Sequence, residues 1–413
     1  MASVHLTDSV ILKETLMDLK GQLVFTKNVN RQHSSEFGKK GAKIGAVANI
    51  RKPVRYNVTE GAAISIQNTV EETIPLTLNK HYHVGMQFSE VDRTLSLEMF
   101  KERYIRPATI ALANKIDSAF YNDMYKQVAT CAGVPSASAL PSSLKAFVNA
   151  KAIASTLGAP KGTYCAIVDP LVEASLVDGL KGLFQSSEQI KNQYEQGVMG
   201  YAGGSKFMMS QNVAKHTAGA VAGAPAIDTT ISADGAVAIH LDGITGSISD
   251  CYKEGDVITI QNVYAVNPQT KQSTGQLKQF VVTADTDSAS GEIATLPISP
   301  AIVLTGAYQN VSAYPVDGAL VYQFGAANSY SGIIAPQNLV FHKDAFAFAS
   351  ADFELPTDGV KGTRASDPDA GMSLTMTSQF DITNYRNITR LDFLGGWKCL
   401  LPELAARVVG EPA

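Results

Sequence analysis

The chain has 413 residues, of which 45% are hydrophobic and only 17% are charged. Because an average soluble protein carries about 25% charged residues, this composition excludes a disordered chain and a coiled coil, and the length favours two or three sub-domains. The formal net charge of −4 argues against a nucleic-acid-binding surface that extends over the whole chain.

The N-terminal region combines a helical pattern with excess positive charge. Ile11, Leu12, Leu16 and Leu19 lie at helical spacing and predict a short amphipathic arm. Residues 1–55 hold ten Lys and Arg against four Asp and Glu, a local charge of +6. This excess indicates a surface that faces nucleic acid or a neighbouring copy of the chain, although a solvated basic arm explains it equally well.

Alternating apolar residues predict strands from about residue 41 to residue 88. Val54, Tyr56 and Val58 alternate with polar residues, and the same alternation then runs without a turn from Ile74 to Phe88. A strand of about 15 residues would be about 50 Å long, beyond the usual 3–10 residues. We expect this ribbon to project from its own subunit and to be covered by another.

The next part of the chain reads as a mixed α/β region. A long helix is predicted over residues 94–130, and a second helix follows from a cap at Ser142 or Ser143 to Gly158. A buried strand over residues 163–168 and a helix over residues 171–184 come next. The glycine-rich stretch from residue 197 to residue 204 predicts a loop.

Composition changes at about residue 218, where small and turn-forming residues become frequent. Every periodic run from there to about residue 305 is strand-like, which predicts an antiparallel β module inserted between two halves of an α/β domain. Strands are expected at 319–322 and 338–341, followed by a small helix near 344–348 and an extended C-terminal region. Trp397 lies among apolar residues and predicts packing in a core or between subunits.

Few residues suggest chemistry. His81 and His83 would share one face of a strand and could offer two imidazoles to a metal, but no third ligand follows nearby, so surface or interface histidines are favoured. Phosphate-binding loops and a G-x-S-x-G elbow are absent from the sequence. Cys165 lies within an apolar strand, and Asp169 at its end has no accompanying acid or base. Neither an enzyme nor a cofactor is predicted.

The order of these parts resembles the major capsid proteins of tailed phages, which share the HK97 fold. The run GDVITIQNVYAVNPQTKQSTGQLKQFVV at residues 255–282 is similar to the insertion domain of P22-type coat proteins. The resemblance implies an α+β HK97-like fold with an inserted antiparallel, barrel-like β domain. It divides the chain into an N-terminal arm (1–35), an extended β-hairpin loop (36–90), a peripheral domain with a spine helix (91–135 and 355–413), an axial domain (136–220 and 306–354) and the inserted β domain (221–305).

The resemblance also implies a function and partners. It indicates a non-enzymatic coat subunit, made in the host cytoplasm, that forms pentamers and hexamers of an icosahedral procapsid with scaffolding protein and a portal. The mature shell would enclose double-stranded DNA through non-specific contacts, decoration proteins are a further partner to consider, and no membrane is involved. An encapsulin, a nanocompartment shell of the same fold with an enzyme cargo, is the alternative, and the β insertion argues against it.

Six basic residues near the N-terminus are the site candidates. We expect them to pair with acids of a neighbouring subunit or to line the interior of the shell, where a weak, non-specific contact with DNA is required. The six residues are Lys39, Lys40, Lys43, Arg51, Lys52 and Arg55.

Overall fold

The computed structural model describes residues 8–37, 44–56, 58, 61, 66, 71–88, 99, 101–136, 140–179, 200–324, 330–356, 359–367, 371–383 and 386–411. These residues form an α+β fold in which strands greatly outnumber helices, as predicted. The helices are α1 (Asp8–Gln22), α2 (Arg106–Tyr125), α3 (Leu144–Thr156) and α4 (Pro170–Gly179).

The strands are numbered in chain order through the described residues. They are β1 (Val47–Arg51), β2 (Thr73–Thr77), β3 (Lys80–Phe88), β4 (Cys131–Ala132), β5 (Tyr164–Val168), β6 (Tyr201–Ala202), β7 (Ser205–Met209), β8 (Lys215–Thr217), β9 (Gly223–Ile227), β10 (Ala236–Ile244), β11 (Val257–Val266), β12 (Ser273–Val282), β13 (Ile293–Ile302), β14 (Val321–Gln323), β15 (Ile334–Pro336), β16 (Asn338–Phe341), β17 (Phe346–Ala351), β18 (Lys361–Asp367), β19 (Met372–Asp381), β20 (Arg386–Cys399) and β21 (Ala405–Val408).

The chain folds into two compact units, each assembled from separate stretches of sequence. Unit 1 comprises Met1–Lys52, Glu71–Phe120 and Phe346–Leu400, and unit 2 comprises Pro53–Val70, Tyr121–Ala345 and Leu401–Ala413.

Unit 1 is built on a five-stranded antiparallel sheet in which the long strand β20 pairs with β17, β19 and β3, and β18 pairs with β19. A second antiparallel pair joins β1 to β2, with Ile50 opposite Ile74. The predicted single ribbon from Ile74 to Phe88 is therefore wrong. It is interrupted after Thr77, and its second half lies within the sheet of its own subunit because β20 supplies the backbone partners.

An aromatic cluster forms the centre of unit 1. The ring of Phe120 on α2 lies 4.6 Å from Phe25 and 5.2 Å from Trp397, measured between centroids. Trp397 is also stacked against Phe348 of β17, so the core packing predicted for it is confirmed. Helix α1 forms as predicted, and its stripe Ile11, Leu12, Leu16 and Leu19 is buried against β18 and β19.

Unit 2 contains a mixed six-stranded sheet in the order β4-β21-β16-β5-β7-β6. Strand β5 runs parallel to β7 and antiparallel to β16. Helix α3 covers one face, where Ala146, Phe147 and Ala150 are buried with Tyr164 and Val168 of β5. The predicted helix and strand are thus both present, and the strand β16 matches its expected position at 338–341.

The β module of unit 2 is a six-stranded antiparallel sheet in the order β14-β11-β12-β13-β10-β9. It is nearly closed into a barrel, since the amide of Ile227 at the end of β9 bonds to the carbonyl of Ala319 just before β14. Its interior is filled by aliphatic residues with Phe280 and Tyr252. Strand β14 belongs to the same sheet because it pairs with β11.

Three other local predictions differ from the structure. The predicted helix near 344–348 is a single 3-10 turn, Lys343–Ala345. It is followed by β17, in which every residue is buried. Residues 52–56 carry no strand despite their alternation. Within the expected loop at 197–204, the described residues from Gly200 onward include β6, which turns through Gly203 and Gly204, both at positive φ, into β7.

The predicted helix over 94–130 is also shorter than expected. A π-helical turn, Lys101–Ile105, runs directly into α2, and Pro107, which has no N–H to donate, is the second residue of α2. After Tyr125 the chain leaves the helix and reaches β4. Residues 94–98 and 100 lie outside the described residues.

Candidate functional site

Two of the predicted basic residues lie at the end of the β1–β2 pair in unit 1. Arg51 forms an ion pair with Glu71 at 3.2 Å, and Lys52 contacts Glu72 at 2.9 Å. Arg51, Glu71 and Glu72 are exposed and Lys52 is half-buried, so these pairs contribute only about 0–1 kcal/mol each. Lys39, Lys40 and Lys43 lie outside the described residues.

Arg55, the remaining predicted residue, belongs to a mixed charge cluster in unit 2. Its guanidinium forms a close ion pair with Glu403 and lies 5.9 Å from the centre of the Tyr308 ring. Burial lowers the pKa of Lys278 to about 8, with Glu403 opposing this shift and Arg55 adding to it. One acid therefore serves two basic groups, and the cluster keeps a net positive charge.

Lys278 also lines a cavity of about 400 Å³ in unit 2. The cavity lies between α3, which contributes Ile153 to its lining, and the β module. The side-chain amide of Gln279 bonds to both the N–H and the carbonyl of Cys131, at 2.8 Å each, and so joins β12 to β4. Burial raises the pKa of Cys131 to about 11. Its thiol therefore stays protonated at neutral pH, which makes it a weak nucleophile.

A buried polar network in unit 2 was missed by the sequence analysis. His216 Nε2 lies 2.8 Å from Asp256 Oδ1, and both side chains are almost fully buried. The other carboxylate oxygen of Asp256 accepts hydrogen bonds from the backbone amide of Gly219 and the side chain of Gln323. The fully buried Arg407 donates through Nη1 to the carbonyl of Gly255. A signal was present, because Arg407 is the single polar residue in the apolar strand AARV.

A second buried acid anchors the N-terminal region to α2 within unit 1. The carboxylate of Asp117 accepts hydrogen bonds from the backbone amides of Val24, Phe25 and Thr26 and from the Thr26 hydroxyl, at 2.5–3.1 Å. Burial raises the pKa of Asp117, and these hydrogen bonds oppose the rise. Residues 24–26 of the predicted arm are therefore fixed to α2 of the same unit.

The two positions considered for catalysis have structural roles. Asp169 follows β5, and its Oδ2 accepts the backbone amide of Leu171 at the start of α4, as a helix-capping residue does. Burial raises the pKa of Cys165, so its thiol is not activated. Ser143 occupies the position before α3, but its hydroxyl bonds to Glu411 rather than to the helix.

The two histidines of β3 share a face, as predicted. Their ring centroids lie 5.9 Å apart, and His81 Nε2 lies 2.7 Å from Oδ1 of Asp392 on β20. Asp392 was not identified from the sequence because it lies 311 residues away and reaches the histidines only through strand pairing.

Comparison with known proteins identifies the family. The profile described as P22 coat protein, gene protein 5, matches residues 1–410. No curated protein sequence matches the chain. No described helix combines the length and the apolar character needed to cross a bilayer.

Solved capsid structures are also similar to this chain. The structure titled Mycobacterium phage Che8 is 13% identical, with 94% of this chain and 91% of that chain covered and a TM-score of 0.47. The capsid of Ralstonia phage GP4 is 10% identical, with 90% and 85% covered and a TM-score of 0.43. The I-domain of the CUS-3 coat protein is 22% identical, with 25% and 96% covered and a TM-score of 0.19. On the family match over residues 1–410, the chain belongs to the P22 coat protein family and is a phage major capsid protein that forms the head shell.

Proposed function

We propose that this head shell protein assembles with a scaffolding protein into an icosahedral procapsid of pentamers and hexamers, with a portal at one vertex, and that the mature shell encloses double-stranded DNA. The observation that carries the proposal is the family match over residues 1–410. The encapsulin alternative is a weaker fit. The resemblance of segment 255–282 is to the insertion domain of P22-type coat proteins, and an encapsulin shell gives no role to such an inserted β module.

The surface of unit 1 supports self-association. Phe380, Ile382 and Ile388 lie at the end of the β19–β20 pair and are exposed, Ile382 to 84% of its surface. Large apolar side chains grouped at one end of a sheet are unfavourable in water and are typical of protein–protein interfaces. We propose that this group contacts a neighbouring subunit.

The basic residues support a further step of the proposal. Because the ion pairs of Arg51 and Lys52 with Glu71 and Glu72 are at least partly exposed, exchange of an acid of the same chain for one of a neighbour costs little. We propose that Arg51, Lys52 and Arg55 form such contacts between subunits or face the interior, together with Lys39, Lys40 and Lys43.

The sheets also suggest how the parts of the resemblance map onto the chain. In this proposal the peripheral domain is the five-stranded sheet with α2, the axial domain is the mixed sheet with α3 and α4, and the inserted domain is the β module. Strand membership then moves β17 to the peripheral domain and β21 to the axial domain, relative to the expected boundaries at 354 and 355. The module extends from Gly223 to Gln323.

Electron microscopy of the chain expressed with and without its scaffolding protein tests the proposal, with sedimentation as a second measurement. We expect closed shells of uniform size when the scaffold is present and aberrant particles when it is absent. A monodisperse monomer under all assembly conditions, scaffold included, would contradict the proposal.

A charge swap tests the role of Arg51. The single variant Arg51→Glu should impair assembly. The double variant Arg51→Glu with Glu71→Arg restores the ion pair within the β1–β2 pair but not a contact with a neighbour. If the double variant assembles like the wild type, Arg51 acts within its own chain and the inter-subunit assignment is wrong.

A further inference from the structure

Three potential metal ligands come together on the exposed face of the sheet in unit 1. His81 and His83 lie two residues apart on β3, so their side chains point to the same face. Asp392 is the direct cross-strand partner of His83 on β20. One ligand atom from each of the three residues lies within 4.8 Å of the other two.

We propose that His81, His83 and Asp392 bind one divalent transition metal ion, of which Zn²⁺ is the best match. Two neutral imidazoles and one carboxylate form a donor set that zinc prefers, with bonds of about 2.0–2.2 Å. Ligand atoms at this distance around one tetrahedral ion lie about 3.3 Å from each other. The separations in the structure require only a small rotation of side chains, and both histidines are exposed residues.

The backbone around the site is well fixed. Strands β3 and β20 pair continuously from Phe88 opposite Asn387 to Lys80 opposite Gly395. The ring of His81 packs against Phe353 at 4.7 Å, and Asp392 is only 8% exposed. A site on paired strands therefore needs little reorganisation to bind an ion. Three protein ligands leave one position for water or for a group from another molecule.

Arg390 is the charged neighbour that the site must accommodate. Its Nε donates to Asp392 Oδ1 at 2.8 Å, and its Nη2 lies 3.4 Å from His81 Nε2. The guanidinium orients the carboxylate, as outer partners of metal ligands do. Its positive charge also repels a cation, so we expect moderate affinity.

Zinc titration of the full-length chain, purified without an affinity tag and freed of metal, tests the site. We expect one saturable zinc per chain in competition with a chromophoric chelator, and a higher melting temperature when zinc is present. His83→Ala, which changes an exposed side chain, should weaken binding at least about 100-fold, because loss of a ligand exceeds the effect of losing an outer partner. Asp392→Asn keeps the shape of the side chain and should have the same effect.

Two controls make the result specific. His240 is an exposed histidine of β10 in the other unit, and His240→Ala should leave zinc binding unchanged. Cobalt(II) in place of zinc should give the d–d spectrum of nitrogen and oxygen ligands without a near-ultraviolet thiolate band, which distinguishes this site from the four cysteines. The melting temperature of each variant without metal shows that the fold is retained.

Three results would overturn the proposal. One is the absence of saturable binding below about 100 μM zinc, the weak end of the micromolar range. The second is unchanged binding in both His83→Ala and Asp392→Asn. The third is a thiolate band in the cobalt spectrum that accompanies all of the binding. The result is independent of shell assembly, so it does not depend on the proposed function.

Discussion

Asp117 provides a sharp test of how the N-terminal region is held in unit 1. Replacement by alanine removes the acceptor of four hydrogen bonds, three of them from backbone amides. Each unpaired buried donor costs about 1–3 kcal/mol. These costs are not additive, and removal of the buried carboxylate recovers part of its desolvation penalty. We expect Asp117→Ala to lower the free energy of unfolding by about 3–5 kcal/mol.

Asp117→Asn should fall between the wild type and the alanine variant. The amide keeps one oxygen as an acceptor, but its NH₂ group faces donors where the second oxygen stood. Because about half of the hydrogen bonds survive, we expect a loss of about 2 kcal/mol. Asn122→Ala on the exposed side of the same helix is the control and should stay within about 0.5 kcal/mol of the wild type.

Urea unfolding of the unassembled chain, followed by circular dichroism, measures these free energies. Limited proteolysis provides a local readout, since the segment after α1 should be cleaved earlier in Asp117→Ala. If Asp117→Ala unfolds at the same urea concentration as Asn122→Ala, the four hydrogen bonds do not stabilise the fold, and the reasoning from the buried carboxylate is wrong.

Three further predictions concern other parts of the molecule. A methyl group at Gly396 would meet the carbonyl oxygen of Thr77, while one at Gly85 meets nothing within 4 Å. Urea unfolding should therefore show that Gly396→Ala lowers the free energy of unfolding by about 1–3 kcal/mol and that Gly85→Ala leaves it almost unchanged. The pKa of Lys278 is lowered to about 8 in the folded chain from 10.5. Its charge therefore opposes folding at pH 7, and this penalty disappears as pH rises between about 8 and 10.5. Lys278→Met should be more stable than the wild type by about 1–2 kcal/mol at pH 7 but not at pH 10, and an equal difference at both pH values would contradict this reasoning. Cys165 is the one partly exposed cysteine of four, so a thiol reagent should label it first in the folded chain, and mass spectrometry finding Cys131 labelled earlier would show that unit 2 opens there.

The elements predictable from sequence were those whose own residues carry a regular period of apolar side chains. The stripe of α1, the helix α3 and the strands of the β module each carry a local period of apolar residues, and each is present. The prediction that the second half of the ribbon projects from its own subunit was wrong because its partner β20 comes some 300 residues later. For the same reason, the sequence analysis did not place Asp392 beside the two histidines.

Buried polar groups were the other feature that the sequence did not reveal. Periodicity indicates which side chains are buried, but not that Asp117 meets three consecutive backbone amides or that His216 meets Asp256. Such pairs depend on the distance between elements, which a single sequence does not contain. The candidate residues at Arg51, Lys52 and Arg55 remain predictions as inter-subunit groups, since their observed partners belong to the same chain.

The division of unit 1 among three stretches of sequence has a consequence for synthesis on the ribosome. Strand β3 is translated about 300 residues before its partner, and it stays unpaired until β20 has left the exit tunnel. The β module is contiguous from Gly223 to Gln323, so it can close while β20 is still untranslated. During that interval the exposed edge of β3 is available to other nascent chains, and a β module that is already folded keeps at least part of the polysome-bound chain out of such contacts.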